Sequence, residues 1–348
     1  MTIPLHTDPN RWKYRAMIGT GGIGSGSFFA LNDNQTLGRE ESRSGHFLDQ
    51  KDYCKLHIIS HYVQSLLGPG FNTFPVGKIG GDEVGKRLLV EMEEANLDIR
   101  HVTTGEEFQT LYSFCFLYPD GTGGNLTTDD SACDHVNAEY ISRAQDEFIH
   151  FSNYGIALAV PEVPLDARKK MLELGTEYNF LRVASFSAEE IPQVIENNLL
   201  NICDLLAVNL EEAAKIANIN FEREKSQEIV EKTITRAMEV NPNLCLSLTA
   251  GKAGCWFWNG TTLLHQPAFQ AALISTAGAG DAHLAGVIAG LTAGLSFTEA
   301  HELGALVAGL SVTSPHTIDK TIGRDTLYSF AQEQHNTIST SIMAFLTN

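Results

Sequence analysis

The chain has 348 residues, 43% hydrophobic and 19% charged, with 24 basic against 42 acidic residues and a formal charge of −18. That length supports a full α/β core, and that charge excludes non-specific attachment to nucleic acid or to an anionic membrane surface. An anionic ligand must therefore be held by local backbone amides or by a metal ion. No apolar run is long enough to span a membrane, the first residues lack the charged-then-apolar pattern of a secretion signal, and a cytoplasmic location is expected. Cys54, Cys115, Cys133, Cys203, Cys245 and Cys255 form no C-x-x-C pair, several sit in apolar runs, and they read as buried reduced thiols.

In chain order, Tyr14 to Ile18 is a strand that runs into Gly19-Thr20-Gly21-Gly22-Ile23-Gly24-Ser25-Gly26. This contains G-x-G-x-x-G after a strand, with Glu40 and Glu41 about 20 residues on, the outline of a dinucleotide-binding turn. The segment after it, Ser27 to Asn34, gives only a short, weak helical pattern where that fold needs a crossover helix. Residues 32–50 are polar and read as loop or small strands outside the core. Leu56, Ile59, Tyr62, Val63 and Leu66 then mark an amphipathic helix ending at Gly68. Phe74 to Gly85 reads as a strand, a turn and a second helix carrying Leu88, Leu89 and Met92. Thr110 to Tyr118 is a strand and Pro119 to Gly124 a turn or hairpin connection.

From about residue 137 helices and strands alternate. Phe148–Phe151, Phe180–Val183, Leu205–Val208 and Leu244–Leu248 read as strands, and Leu165–Tyr178 and Glu222–Val240 as helices. Ser187 with Glu190 and Ser296 with Glu299 read as capping boxes. The alternation predicts a mainly parallel sheet covered on both faces, with ligands at the carboxyl ends of its strands.

Three features fall at such ends. Asn209 begins a helix with Glu212 three residues on, facing the same crevice. Thr249, Gly251 and Gly254 make a glycine-rich turn after the strand Leu244–Leu248. The apolar run Ala271–Ile274 hands over, through Ser275-Thr276-Ala277-Gly278-Ala279-Gly280-Asp281, to a helical segment. Unpaired amides at such a helix start attract an anion, and glycine removes the Cβ that would block its approach. A carboxylate there, Asp281, is electrostatically awkward unless it must accept a proton from a substrate hydroxyl.

The ordered set Asn209-x-x-Glu212, Thr249-x-Gly251-x-x-Gly254 and Thr276-x-Gly278-Ala279-Gly280-Asp281 resembles the ribokinase, or PfkB-type, family of carbohydrate and nucleoside kinases. Upstream, Val76 to Gly85 resembles the turn before that family's second large helix, and the resemblance spans roughly residues 14 to 330. It implies an α/β, ribokinase-like, doubly wound and mainly parallel sheet with helices on both faces. Residues 1–348 would form one domain, with a small β lid from segments near 28–50 and 108–125.

The implied activity is ATP-dependent phosphorylation of a hydroxyl on a sugar, nucleoside or related small polyol. Asp281 would be the general base, and Gly278, Ala279 and Gly280 with Asp281 the anion hole. Asn209, Thr249, Gly251 and Gly254 would bind the nucleotide, and Glu212 its Mg2+, through water. By the same analogy the lid would pair two copies into a homodimer.

The chain departs from that family at Ser275, which replaces an aspartate and puts a monovalent-cation site in doubt, and at His283, which replaces an aromatic residue and reads as a core histidine. The first half lacks the substrate-binding aspartate at the end of the first strand. Asp33, Glu40, Glu41, Arg43 and His46 are left as candidates for that role. Two other readings stand beside the kinase: an NAD-dependent oxidoreductase using Gly19–Gly24, and a catalytically inactive nucleotide- or metabolite-binding member of the same fold.

Overall fold

A computed structural model describes residues 2–5, 7–120, 123–222, 225–334 and 337–347. In chain order the strands are β1 (Ala16–Thr20), β2 (Gly24–Leu31), β3 (Gly45–Phe47), β4 (Asp52–Tyr53), β5 (Asn72–Gly80), β6 (Val102–Gly105), β7 (Leu111–Leu117), β8 (Gly123–Thr127), β9 (Gly155–Ala159), β10 (Leu181–Ala184), β11 (Leu205–Asn209), β12 (Cys245–Thr249), β13 (Cys255–Trp258) and β14 (Leu263–Gln266). The α-helices are α1 (Lys55–Leu67), α2 (Glu83–Glu94), α3 (Ala138–Ile141), α4 (Gln145–His150), α5 (Leu165–Glu177), α6 (Ile191–Glu196), α7 (Leu210–Ile216), α8 (Ser226–Val240), α9 (Ala279–Thr292), α10 (Phe297–Ser311), α11 (Arg324–Glu333) and α12 (Thr340–Thr347). None of the described helices is long and apolar enough to cross a membrane.

Among the described residues, nine strands form one sheet in the order β14-β13-β12-β11-β10-β9-β1-β5-β6. The pairs from β12 to β6 are parallel and the two at the β14 end antiparallel. Strands buried on both faces need apolar or small residues throughout. β1 and β9 meet that demand, with every residue buried. Pleating sends Met17, Ile156 and Leu158 into a core with α1, α2, α9, α10, α11 and α12, and Ile18, Ala157 and Ala159 into a second core with α3 to α8. From β1 the chain winds one way to β5 and β6 and the other way to β9 and beyond. The carboxyl ends of β1 and β9 therefore flank a crevice at the switch point.

A second, five-stranded sheet has the order β3-β2-β7-β8, with β4 also paired to β2. It comes from the two segments expected to lie outside the main core. Of the turn expected between β7 and β8, which pair antiparallel with Leu117 opposite Gly123, Gly121 and Thr122 lie outside the described residues.

Several local expectations change. The weak helical pattern after Gly26 is the extended strand β2. A Cβ at Gly24 would lie 2.4 Å from Leu111 O and one at Gly26 2.5 Å from Asp52 Oδ2, so these glycines serve close strand pairing. Because the Gly19–Gly24 turn runs into strand β2 rather than opening a helix, the dinucleotide-binding turn and the oxidoreductase built on it fall away. Phe148–Phe151 is not a strand: Phe148 sits on α4 and packs on Phe180 at 4.7 Å between ring centres. The strand is the small-residue run Gly155–Ala159, where a Cβ on Gly155 would lie 2.0 Å from the Phe180 ring. Ala271–Ile274 is not a strand either. The sheet ends at β14, Leu273 and Ile274 are exposed, and the Ile274 and Ser275 amides both donate to Val312 O.

Helix α1 is buried almost all round rather than amphipathic, because it packs between the sheet and α9. Helix α8 begins at Ser226; Arg223 and Glu224, within its expected first turn, lie outside the described residues. The box at Ser296 and Glu299 forms as expected, whereas Glu190 accepts the Ser187 amide at 2.9 Å yet is itself the residue before α6, and it clamps the buried Arg168.

Candidate active site

The three motifs converge. Asn209 lies opposite Thr249 in the β11/β12 register. A Cβ on Gly280 would be 3.7 Å from Thr249 Oγ1, so the start of α9 lies against the end of β12. Asn209 and Glu212 make a reciprocal cap: Asn209 Oδ1 accepts the Glu211 and Glu212 amides at 2.9 Å each, and Glu212 Oε2 accepts the Asn209 amide at 2.8 Å. Beyond Thr249 the chain turns through Gly251 (φ 56°) and Gly254 (φ 87°), left-handed conformations that glycine adopts without strain. A Cβ at Gly251 would meet nothing within 4 Å, whereas one at Gly254 would run into Gln266 O at 2.1 Å. Gly251 thus opens onto the crevice while Gly254 fits the turn against the end of β14.

Gly278, at φ 76°, turns the chain into α9. The Ala279 amide donates to Thr276 O and the Ala282 amide to Gly278 O. The amides between them, of Gly280 and Asp281, are the open start of the helix. Ser275 Oγ accepts the Ala277 amide at 3.3 Å, holding the same turn.

Asp281 is not alone. Lys55, the first residue of α1, donates from Nζ to Asp281 Oδ1 at 3.2 Å. The Asp281 charge, opposed by burial and reinforced by Glu212 and Glu162, holds the Lys55 ammonium protonated well above its ordinary range. Glu162 follows β9 at the switch point and takes the left-handed φ of 80°, uncommon for a side-chain-bearing residue. Its Oε2 is buried without a hydrogen-bond partner among the described residues. Burial raises the Glu162 carboxyl to about 7; Lys55 and the Cys54 thiol oppose this, and Asp281 and Asp52 add to it. The neighbouring turn must be glycine, since a Cβ on Gly22 would lie 2.1 Å from Glu162 Oε2.

Asp52, on β4, is buried and also shifted upward, first by burial, against hydrogen bonds that include the Cys115 thiol 3.5 Å from its Oδ2. Glu212 is raised by burial and by Asp281, and lowered by Lys55 and the Asn209 amide. One lysine therefore stands among four carboxylates drawn from β4, the end of β9, α7 and α9. The root of the small sheet is tied to this centre through Thr317: Tyr53 N donates to Thr317 Oγ1 at 3.0 Å and Thr317 N to Lys51 O at 3.1 Å.

Asp281, Gly278, Ala279, Gly280, Asn209, Glu212, Thr249, Gly251 and Gly254 thus share one crevice. Asp33, Glu40, Glu41, Arg43 and His46 do not reach it. They lie in the loop before β3 or on β3, Arg43 pairing with Glu41 at 2.6 Å. Sequence reasoning missed Lys55, Glu162 and Asp52. Placing the strand at Gly155–Ala159 would have put Glu162 just beyond a strand end; nothing local marks Asp52 or Lys55.

A model of the pfkB family of carbohydrate kinases matches residues 60–322. The chain belongs to that family, and it is a kinase, a phosphotransferase of carbohydrate-kinase type. It is 27% identical over 175 residues to the uncharacterized sugar kinase YegV of Escherichia coli, covering 49% of this chain and 51% of that one, so it spans about half the length of that relative. It is 22% identical over 245 residues to an uncharacterized sugar kinase of Archaeoglobus fulgidus, covering 68% of this chain and 90% of that one. Among solved structures it resembles the ribokinase of Cryptococcus neoformans in complex with ADP (TM-score 0.75, 16% identity, 91% of this chain and 99% of that one). It also resembles the nucleoside kinase of Burkholderia thailandensis in complex with inosine (TM-score 0.69, 14% identity, 92% and 98%). The fold is accordingly ribokinase-like.

Proposed function

We propose that the chain transfers the terminal phosphoryl group of ATP to a hydroxyl of a neutral sugar, nucleoside or related small polyol, with Asp281 as general base. The observation that carries this reading is the convergence of Asp281, the open amides of the α9 start and Lys55 on one point of the switch-point crevice. An acceptor hydroxyl placed there gives its proton to an Asp281 carboxylate oxygen as its own oxygen forms the new bond to phosphorus. The bond to the bridging oxygen breaks, and ADP departs. The amides of Gly280 and Asp281 face the charge on the moving phosphoryl group, and Lys55 holds Asp281 in place between turnovers. That the similar ribokinase of Cryptococcus neoformans is in complex with ADP supports a nucleotide as the phosphoryl donor, with Asn209, Thr249, Gly251 and Gly254 as its binding side.

The residues present fit Mg2+. Glu212 keeps one carboxylate oxygen free of the α7 cap, the donor type a hard cation takes, and Asp281, Glu212 and Glu162 around one lysine leave negative charge for a divalent ion to offset. When bound, Mg2+ would neutralise phosphate charge, with Glu212 holding it through water and Asn209 fixing Glu212 through the cap of α7. On the acceptor side, the unpartnered Glu162 Oε2 and the buried Asp52 are ready hydrogen-bond acceptors. They favour an acceptor rich in hydroxyl donors and repel one already phosphorylated, hence the neutral acceptor.

An ADP-release assay with ATP and Mg2+ across neutral sugars, cyclic polyols and nucleosides tests the activity. Asp281→Asn should lower turnover by roughly 10²- to 10⁴-fold while nucleotide still raises the melting temperature; unimpaired turnover would remove Asp281 from the role of base. Exposed Phe47 on β3 and Leu126 on β8, the two edge strands of the small sheet, support pairing of two copies there. Light scattering should give twice the chain mass, falling to the monomer in Phe47→Glu/Leu126→Glu.

A further inference from the structure

Beneath the phosphoryl-transfer crevice lies a second group of chemically capable side chains that the kinase reaction leaves unused. Cys255 opens β13, His283 is on α9 and His301 on α10, and they are 4%, 2% and 3% exposed. The Cys255 Sγ and one ring nitrogen from each histidine all lie within 4.8 Å of one another. The two imidazoles meet edge to face at 4.9 Å. His283 Nδ1 has only a long contact, 3.4 Å, to Ser247 Oγ. His283 Nε2 has no hydrogen-bond partner among the described residues, and the ring of His301 has only the Cys255 backbone beside it. Packing alone would fill such a position with apolar side chains, as it does at Phe257, which lies against His301. A buried imidazole nitrogen without a partner, within 4.8 Å of a buried thiol and a second imidazole, asks for a ligand.

We propose that Cys255, His283 and His301 form a binding site for a soft monovalent metal ion, Cu+. One thiolate and two neutral imidazoles are the donor set that copper favours, and softness of the sulfur selects against hard ions such as Mg2+ and Ca2+. Metal–ligand bonds of about 2.0–2.3 Å require the donors to draw together by roughly 1 Å, within reach of side-chain rotation. Charge decides between the two thiophilic candidates. A Cu+ thiolate is neutral, whereas Zn2+ would leave a net positive charge in the core with three donors and no fourth. The titratable neighbours acting on the two imidazoles are themselves histidines, His301 on His283 and His265 on His301, so among the described residues no carboxylate acts on them to balance it. Burial holds both imidazoles neutral, His301 at about 4, so they are ready to ligate, and it pushes the Cys255 thiol up to about 12. Loading therefore exchanges the thiol proton for Cu+, forming the Cu–S bond and releasing the proton to solvent, with no change of oxidation state. The bound ion would clip α9, which carries Asp281 two residues before His283, to β13 and α10.

The test uses the reduced full chain, without oxygen, titrated against a chromophoric Cu+ chelator. One equivalent of Cu+ should be taken from the chelator, the melting temperature should rise with it, and X-ray absorption should show one sulfur and two imidazole nitrogens around copper. Cys255→Ser and His301→Gln should each abolish the binding and the rise in melting temperature. Failure of the wild type to compete would overturn the site, as would copper held by sulfur alone, which would place it on other thiols. Stoichiometric Zn2+ uptake with Cu+ refused would overturn the charge-balance assignment. If a variant fails to fold, the absorption spectrum of the wild type still decides.

Discussion

Glu162→Gln should change how stability depends on pH, because the wild-type carboxyl titrates at about 7 in the folded protein against an ordinary value of 4.5. Burial is the main cause, with Asp281 and Asp52 adding to it and Lys55 and Cys54 opposing. Between the two values the folded state holds a proton that the unfolded state has released. Stability therefore falls as pH rises, by about 1.4 kcal/mol per pH unit. The contribution is fully present below about 4.5 and is gone above about 7, a total of at most about 3 kcal/mol. Glutamine has nearly the same shape and never ionises, so it removes this component alone. Denaturant midpoints of both proteins at several pH values between 5 and 8 should show the variant gaining on the wild type as pH rises, by up to about 3 kcal/mol, and levelling above 7. A difference between them that stays constant across that range, or shrinks as pH rises, would refute the placing of a buried carboxyl, raised by burial, at the end of β9.

Two further substitutions probe the centre. Lys55→Met removes the cation set among Asp281, Glu212 and Glu162. Turnover should fall on the order of 10²-fold, with Lys55→Arg recovering part of it, as steady-state kinetics at saturating ATP would show. Gly278→Ala forces a side chain into φ 76° with its Cβ 2.9 Å from Thr317 O. It should destabilise the fold by about 1 kcal/mol or more in a denaturant titration and lower turnover, because the open amides of Gly280 and Asp281 move with the turn.

The fold was legible where hydrophobic pattern and length agreed. β10, β11 and β12 are short apolar runs between clear helices, and each begins within a residue of its expected start. The pattern misled where an apolar run served something other than the sheet. Phe148 is apolar because it packs α4 against Phe180, and Leu273 and Ile274 are apolar yet exposed in a loop. Conversely, β9 is built from glycine, alanine and two larger residues, Ile156 and Leu158, since both faces are crowded. Its strand character comes from neighbours that no local window contains.

The same physics divides the site. The side proposed for the nucleotide is made of consecutive turns, after β11 and β12 and before α9, and each glycine or cap is fixed by its own few residues: Asn209 with Glu212, Gly251 with Gly254, Gly278 with Asp281. Such features leave spacings that a sequence preserves. The side proposed for the acceptor is assembled from Asp52, Lys55, Glu162 and Gly22, which are brought together only when β4 pairs with β2 and β9 lies beside β1. The charge of each is set by the others: Lys55 is held protonated by Asp281, Glu212 and Glu162, and Glu162 is held back from ionising by burial and by Asp281. A lysine at a helix start and a glutamate after Pro161 carry no sign of this by themselves. If these residues hold the acceptor as proposed, its specificity follows from the sheet topology, and a change of acceptor is expected to need these four positions altered together rather than one motif edited.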